Sequence, residues 1–161
     1  HGCLVGSEMC IRDRLLSKAK DNNASSSIGP LIRLFDETFD LTCVRNAELK
    51  LRVEGEDGFI LNGSSSMQKI SRDPIDLVKQ TIGDHHQYPD GFMLYLGTLF
   101  APTKDRDEVG GGFTHKINDK VTISCDDIGV LTNQVKYSTE CQKWEFGISR
   151  LMRNLSERQL L

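Results

Sequence analysis

Alternating polar and apolar positions between residues 48 and 61 form the clearest structural pattern in the chain. The run Glu48-Leu49-Lys50-Leu51-Arg52-Val53-Glu54 changes character at every residue, which is the period of a strand with one buried face. Asp57-Gly58 follows and favours a type I′ turn, because glycine tolerates the positive φ that this turn requires. Phe59-Ile60-Leu61 is then the returning strand, so the pattern predicts a β-hairpin.

Shorter apolar runs predict further strands over residues 31–35, 92–96, 120–125 and 128–137. The segments between them carry turn residues. We expect a turn over residues 36–40 and a polar loop at Ser64-Ser65-Ser66-Met67. Together with the hairpin, these runs predict a strand-rich chain.

Two segments have helical patterns. Asp73-Pro74 supplies a capping side chain and a fixed φ at the first helical position, and an apolar stripe follows as far as Gly83. Near the C-terminus, apolar residues recur at positions i, i+3, i+4 and i+7. Trp144 and Phe146 precede this second helix, and we expect them to anchor it to the core. The fold class predicted from the residues is therefore α+β, strand-rich, with two helices.

Composition narrows the class of protein. The 161 residues are 38% hydrophobic and 27% charged, an ordinary globular balance. The net charge of -3 gives no reason to expect nucleic acid or an anionic membrane as partner, and no apolar run approaches the roughly 20 residues that span a bilayer. The five cysteines form no CxxC pair, which favours a reducing, cytoplasmic location.

The first fourteen residues have the character of a sequencing artefact. Glu8-Met9-Cys10-Ile11-Arg12-Asp13 can be written backwards into the codons GAG-ATG-TGT-ATA-AGA-GAC, which match the end sequence of transposase-based library kits. The alternative is a short amphipathic N-terminal segment. We therefore exclude residues 1–14 from fold reasoning. We expect the natural sequence to begin near Leu15, and residues 15–161 to be the C-terminal part of one catalytic domain.

Residues 91–133 carry the strongest functional signal. An apolar strand runs into Gly97-Thr98, and a long polar loop ends in Gly110-Gly111-Gly112. Loops of this length without structure of their own are usually lids or binding loops. The backbone amide and hydroxyl of the Gly-Thr step suit a small anion.

Several motifs in order resemble the fumarylacetoacetate hydrolase superfamily across residues 15–161. They are Lys20 ahead of Gly29-Pro30, the hairpin of residues 48–61, Gly63-Ser64-Ser65-Ser66-Met67, Gly97-Thr98, Asn118-Asp119, and Gly129-Val130-Leu131-Thr132-Asn133. The tail from Trp144 to Leu155 looks like the branch that contains 2-dehydro-3-deoxy sugar-acid dehydratase-like members.

This resemblance implies a fumarylacetoacetate-hydrolase-like mixed β-sandwich or roll, N-terminally truncated, and a homodimer. It also implies a metal-dependent enzyme that acts on a 2-oxo acid through a metal-bound enolate, with Mg²⁺ (or Mn²⁺ or Ca²⁺) as the cofactor. The reaction would be a dehydration, isomerisation, decarboxylation or C–C hydrolysis. Dehydration of a 2-dehydro-3-deoxy sugar acid is our first choice.

The resemblance also assigns site residues. Lys20 would stabilise the enolate, and Gly97 and Thr98 would hold the substrate carboxylate. Ser65 is a further candidate for substrate binding, and Arg106 for a distal carboxylate of the substrate. The alternatives are a solvated lysine at position 20, a strand-end threonine at position 98, a simple polar turn around Ser65 and a solvated loop charge at Arg106.

The family's metal ligands, a Glu-x-Glu pair and a later Asp, lie upstream of the matched lysine, so we expect none in this chain after Leu15. Glu54-Gly55-Glu56 has the spacing of the pair but falls at the hairpin, and we interpret it as a turn. His85-His86 is a poor metal pair, since adjacent side chains point in different directions. His115 could act as an acid or base. We expect the 161-residue chain alone to be inactive, and the competing interpretation is a non-catalytic, strand-rich interaction or ligand-binding module.

Overall fold

The structure, a computed structural model, describes residues 22–96 and 103–161. Within these residues four antiparallel strands form one sheet in the order β2-β1-β3-β4. The strands are β1 (Glu48–Glu54), β2 (Ile60–Ser66), β3 (Lys120–Cys125) and β4 (Gly129–Gln134). The helices are α1 (Leu41–Asn46), α2 (Pro74–Thr81) and α3 (Ile148–Glu157), with one 3-10 turn at Met67–Lys69. The predicted α+β class is confirmed, whereas the described residues are divided about equally between strands and helices.

The predicted hairpin is present, but its turn differs from the prediction. β1 pairs with β2 in register from Glu48 opposite Ser66 to Glu54 opposite Ile60. Gly55 N–H donates to the carbonyl of Phe59 at 2.9 Å, and Gly58 N–H donates to the carbonyl of Gly55 at 3.1 Å. Gly58 has a φ of +78°, whereas Asp57 has no positive φ. A type I′ turn needs positive φ at both central residues, so the chain instead turns through three loop residues that end in a left-handed glycine.

The alternation of polar and apolar residues along β1 gives the sheet one apolar and one polar face. Leu51 lies opposite Ile123, and Val53 opposite Leu61 and Val121, so their side chains share a face. Val53 is fully buried on that face. The other face carries charged and hydroxyl side chains, among them Lys50, Arg52, Ser64, Thr122 and Thr132. A small core of Ala47, Met67 and Cys125 packs beside the sheet.

Two of the predicted strands do not form. Residues 31–35 and 92–96 have no regular structure, and Leu31 is 83% exposed. An apolar run becomes a strand only where a neighbouring strand accepts its backbone hydrogen bonds, and neither run has such a neighbour in the described ranges. The predicted strand over residues 128–137 is shorter, Gly129–Gln134.

The predicted loop at residues 64–67 is also wrong in part, because Ser64, Ser65 and Ser66 complete β2. Their partners on β1 are Lys50, Leu49 and Glu48. Serine has turn propensity, but pairing with β1 supplies the hydrogen bonds that extend the strand.

Both predicted helices form. Asp73 caps α2 by accepting from Ile75 N–H at 2.9 Å, with Pro74 at the first helical position. The Arg45 Nε also donates to Asp73 at 2.5 Å, which joins the end of α1 to the start of α2. α1, a six-residue helix capped by Asp40, was not predicted from the sequence. No helix in the parts of the chain described is long and apolar enough to cross a membrane.

The aromatic residues before α3 do not anchor it, so that prediction is wrong. Trp144 is 81% exposed and Phe146 is 50% exposed. The Trp144 indole N–H donates locally to the carbonyl of Phe146 at 3.0 Å. Along α3 itself, Ile148 is also largely exposed. The aromatic side chains therefore lie on the surface, because no apolar layer of the described structure stands opposite them.

Candidate functional site

The residues with the strongest predicted roles lie outside the described part of the chain. Lys20, Gly97 and Thr98 belong to the segments 1–21 and 97–102. Their assigned roles remain predictions from the resemblance. Ser65 and Arg106 are described, and they occupy two different environments.

Ser65 lines a cavity of about 320 Å³ between the end of β2 and the start of α2, which we call the basic pocket. Its lining residues are Ser65, Ser66, Lys69, Ile70, Ser71, Arg72, Leu77 and Leu96. Ser65 is half-buried and pairs with Leu49, one position before the open end of the β1–β2 hairpin. Leu96 is bonded to Gly97, so the pocket wall includes the residue next to the predicted Gly-Thr step.

Two cationic side chains give the basic pocket its charge. Lys69 ends the 3-10 turn that follows β2, and Arg72 follows three residues later. The Arg72 guanidinium pairs with Asp76 at 2.7 Å, and both side chains are about half exposed. None of the residues that line the pocket is acidic. A small anion is the ligand that this lining suits.

Arg106 lies at the other end of the hairpin, in a group of charged side chains that we call the Arg106 cluster. Its members are Asp57, Arg106, Asp107, Lys116 and Asp119. The side chains of Arg106 and Asp119 are 2% and 1% exposed. The two are joined at 2.5 Å and 2.7 Å through the two terminal guanidinium nitrogens.

Every N–H of the Arg106 guanidinium has an acceptor. Two donate to Asp57, both at 3.1 Å, two donate to Asp119, and one donates to the carbonyl of Thr114 at 3.1 Å. A guanidinium has five N–H groups. Arg106 is therefore a buried structural residue, which corrects the expectation of a solvated loop charge and leaves no donor for the distal carboxylate that the sequence analysis assigned to it.

The other charges of the cluster are held by the same contacts. Asp119 also accepts from Lys116 N–H at 2.9 Å, and the pKa of Asp119 is lowered, chiefly by its hydrogen bonds to Arg106. The Lys116 ammonium contacts Asp107 and Asp57, which raise its pKa. The pKa of Asp57 is lowered by Arg106 and then by Lys116. Asp57 and Asp119 are consequently held in the charged form at neutral pH.

The cluster explains why residue 55 is glycine. A Cβ at Gly55 would lie 2.3 Å from a terminal nitrogen of Arg106 and 2.3 Å from a carboxylate oxygen of Asp57. These atoms are held by the hydrogen bonds of the cluster and cannot move away without breaking them. Glu54-Gly55-Glu56 is therefore part of the hairpin end, in agreement with its interpretation as a turn.

The glycine-rich loop has internal structure, contrary to the expectation of a loop without structure of its own. Asp105 accepts from Gly110 N–H at 2.7 Å and from Gly112 N–H at 2.8 Å. These bonds lower the pKa of Asp105. Arg106 N–H donates to the carbonyl of Gly112 at 3.2 Å. Gly110 and Gly112 have φ values of +81° and +75°, which glycine adopts without strain. Residues 105–112 thus form a closed loop.

Aromatic rings cover the outer side of the Arg106 cluster. The guanidinium carbon of Arg106 lies 4.8 Å from the ring centre of Phe59, and Phe59 stacks on Phe113 at 5.8 Å. His115 contacts Phe113 edge-on, with its Nδ1 3.6 Å from Asp119. His115 therefore packs at the rim of a structural cluster. Its role as an acid or base stays a prediction.

A third feature brings together two segments that carry the resemblance. Ser27, from the segment before Gly29-Pro30, donates its hydroxyl to the side-chain oxygen of Asn133 at 2.9 Å. Asn133 is the last residue of the Gly-x-Leu-x-Asn motif in β4, and Ser27 and Asn133 both line a cavity of about 530 Å³. This hydrogen bond joins residues that are 106 positions apart in the sequence.

Metal binding can be tested only on residues 22–96 and 103–161. No group of three or more histidine, cysteine, aspartate or glutamate side chains in those ranges is arranged to hold a metal ion.

Sequence reasoning missed Lys69, Arg72 and the Arg106 cluster. The signal for the basic pocket was present: three serines followed within seven residues by two cationic side chains. No local signal pointed to the cluster, because Arg106 is 49 residues from Asp57 and 13 from Asp119.

Comparison of the chain with family models, with curated proteins and with solved structures gives no match.

Proposed function

We propose that the chain is part of a metal-dependent enzyme of the fumarylacetoacetate hydrolase superfamily that acts on a 2-oxo acid through an enolate. The observation that supports this proposal is the basic pocket. It contains Ser65, which the resemblance singled out as a substrate contact, together with Lys69 and Arg72. It ends at Leu96, which is bonded to the predicted carboxylate-binding Gly97.

The chemistry of a 2-oxo acid matches these residues. Such a molecule is an anion at neutral pH, and Lys69, which lines the pocket beside the Asp76-paired Arg72, attracts it. Serine hydroxyls donate hydrogen bonds to carboxylate, carbonyl and hydroxyl oxygens. In the proposal, Lys20 stabilises the negative charge of the enolate, and Gly97 and Thr98 hold the reacting carboxylate. Dehydration of a 2-dehydro-3-deoxy sugar acid remains our first choice among the four reaction types.

The proposal takes the cofactor to be Mg²⁺, or Mn²⁺ or Ca²⁺, bound by ligands upstream of Leu15. When bound, such an ion polarises the carbonyl of the substrate. The residues of this chain would hold and orient the acid, and the lysine would hold a proton or charge next to the reacting carbon.

Turnover by the intact enzyme tests the proposal. A 2-dehydro-3-deoxy sugar acid is supplied with Mg²⁺, and its loss is followed by NMR with and without a chelator. Lys20→Ala is expected to abolish turnover, because the enolate loses its positive neighbour. Lys79→Ala, on the exposed side of α2, is the matched control and is expected to leave the rate unchanged.

Two results would contradict the assignment. If Lys20→Ala and Lys79→Ala are equally active, Lys20 has no role in the reaction. If the purified 161-residue chain itself shows Mg²⁺-dependent turnover, the metal ligands do not lie upstream of Leu15.

The competing function is a non-catalytic interaction module, and the exposed apolar surface favours it. An apolar groove of about 590 Å³ runs between residues 28–35 and the sheet, and Leu31, Ile32 and Phe35 on its wall are 83%, 74% and 63% exposed. A patch of this kind is typical of an interaction surface. The reading frame upstream of Leu15 discriminates the two: a Glu-x-Glu pair with a following Asp supports the enzyme, and a natural start codon or an unrelated domain supports the module.

The groove also bears on the homodimer that the resemblance implies. Sedimentation of the intact protein measures its oligomeric state directly. A dimer that becomes a monomer with Leu31→Asp would support an association through the groove, and an unchanged dimer would exclude the groove from that interface.

A further inference from the structure

Helix α3 has an apolar stripe that remains largely exposed in the described structure. Its members stand at positions i, i+3, i+4 and i+7, and so share one face of the helix: Ile148, Leu151, Met152 and Leu155. No residue of α3 is buried, and Ile148 is 71% exposed. Exposed apolar surface of this kind is typical of a face that meets a partner.

The apolar groove between residues 28–35 and the sheet is a second exposed apolar surface. Ile123 and Leu131 of the sheet line it, together with Leu31 and Ile32. Among the described residues, α3 contributes none to the lining of the groove in its own chain. A stripe with the spacing found in α3 is the pattern by which helices bind in apolar grooves. The ten residues of α3 make a helix about 15 Å long, and a groove of about 590 Å³ can take the side chains of one face of it.

The segment that contains α3 is positively charged. Residues 143–161 carry four cationic and two acidic side chains, whereas the whole chain has a net charge of -3. Arg153 and Arg158 form no ion pair with any described residue. Arg150 approaches Glu145 only to 3.8 Å, and both of these side chains are exposed. The cations of this segment are therefore available to a negatively charged partner.

The edge of the groove has the opposite charge. Arg33 and Lys50 are already paired with acidic side chains there. Two further acidic residues, Glu37 and Asp127, form no ion pair in the ranges that the structure describes. Each lies within two residues of one that lines the groove. The groove thus matches α3 in apolar character and complements it in charge, and such complementarity favours association.

We propose that α3 of one copy of the chain binds in the apolar groove of a second copy. Two such contacts, one in each direction, close a two-fold dimer. In each contact the apolar stripe of α3 covers Leu31 and Ile123, and both exposed apolar surfaces of the chain are removed from water. The inference goes beyond the proposed function, since it names what fills the groove and involves neither Lys20 nor a substrate.

Sedimentation velocity of the 161-residue chain over a range of concentrations tests this. We expect a dimer that Leu151→Asp weakens at least about tenfold, because a charge enters an apolar contact. Asn154→Asp is the matched control: it adds the same charge to the polar side of α3 and should leave the dimer unchanged. Both positions are exposed, so circular dichroism of the two variants should show the same fold as the wild type.

Mixing two variants identifies what fills the groove. Leu31→Asp disables the groove and leaves α3 intact, whereas Leu151→Asp disables α3 and leaves the groove intact. Each variant alone should be monomeric. An equal mixture should form a dimer, because one intact helix and one intact groove remain. Contact between two grooves, or between two α3 helices, would leave the mixture monomeric.

Three results would overturn the inference. They are a wild-type chain that stays monomeric up to about 0.3 mM, a mixture that does not associate, and equal weakening of the dimer by Leu151→Asp and Asn154→Asp. None of these measurements depends on turnover, so a failure of this inference is distinguishable from a failure of the proposed function.

Discussion

Replacing Asp119 by alanine tests the energetic role of the Arg106 cluster. The substitution removes two hydrogen bonds from the buried guanidinium, at 2.5 Å and 2.7 Å, and one from Lys116 N–H at 2.9 Å. Removing one partner of a buried ion pair costs about 3–5 kcal/mol. Since Asp57 still holds Arg106, we expect the lower end, about 3 kcal/mol. That is a large fraction of the total stability of a domain, about 5–15 kcal/mol.

Thermal unfolding followed by circular dichroism measures this loss. For a chain of this length, 3 kcal/mol corresponds to a fall in Tm of about 6–12 °C. Asp119→Asn keeps the size of the side chain and one acceptor oxygen, so its Tm should lie between those of the wild type and Asp119→Ala.

Asp126→Ala is the matched control. Asp126 forms an ion pair with Lys50, but the two side chains are 84% and 58% exposed, and an exposed ion pair has little effect on stability. Its Tm should fall by at most about 4 °C. If Asp119→Ala lowers the Tm no more than Asp126→Ala does, the cluster does not stabilise the fold and the reasoning from burial is refuted.

Three further predictions concern stability. The pKa values of Asp57 and Asp119 are lowered in the folded state, so their contribution is present above the unfolded value of about 3.9 and is lost as the pH falls below it. The urea midpoint should therefore decline below about pH 4, and less so in Asp119→Ala. Gly55→Ala should cost about 1–3 kcal/mol by overpacking, whereas Gly83→Ala, with open space around its Cβ, should change the urea midpoint little. Asp73→Ala removes the cap of α2 and should lower the Tm by about 2–4 °C, and if Asp73→Asn, which keeps a capping oxygen, lowers it equally, the cap is not the cause.

The parts of the fold that the sequence predicted correctly are those that local chemistry decides. The alternation of polar and apolar residues in Glu48–Glu54 predicts a strand wherever one face of that strand is buried. Asp73-Pro74 starts a helix through contacts with the adjacent backbone alone. The apolar run at residues 31–35 has equal local preference for a strand but no partner in the described structure. The three serines of β2 show the reverse case. Their local preference is for turns, but pairing with β1 places them in a strand.

Less of the candidate site than of the fold could be predicted from the sequence. Ser65 was identified from its place in a motif, and the basic side chains beside it were visible as a short pattern. The role of Arg106 was not predictable, because burial of a loop arginine depends on carboxylates from two other parts of the chain. Such a group forms only after distant segments have met, and no window of sequence contains it.

The separation of these partners has a consequence for the folding kinetics. The hairpin closes through three loop residues, whereas the bond from Arg106 to Asp57 closes a loop of 49 residues, which costs more chain entropy. We therefore expect β1 and β2 to pair before the rate-limiting barrier and the guanidinium to enter its site after it. Interactions formed late stabilise the native state more than the transition state. The buried arginine should then act mainly on the unfolding rate: the Arg106 cluster determines how long the folded chain persists, and the hairpin determines how quickly it forms.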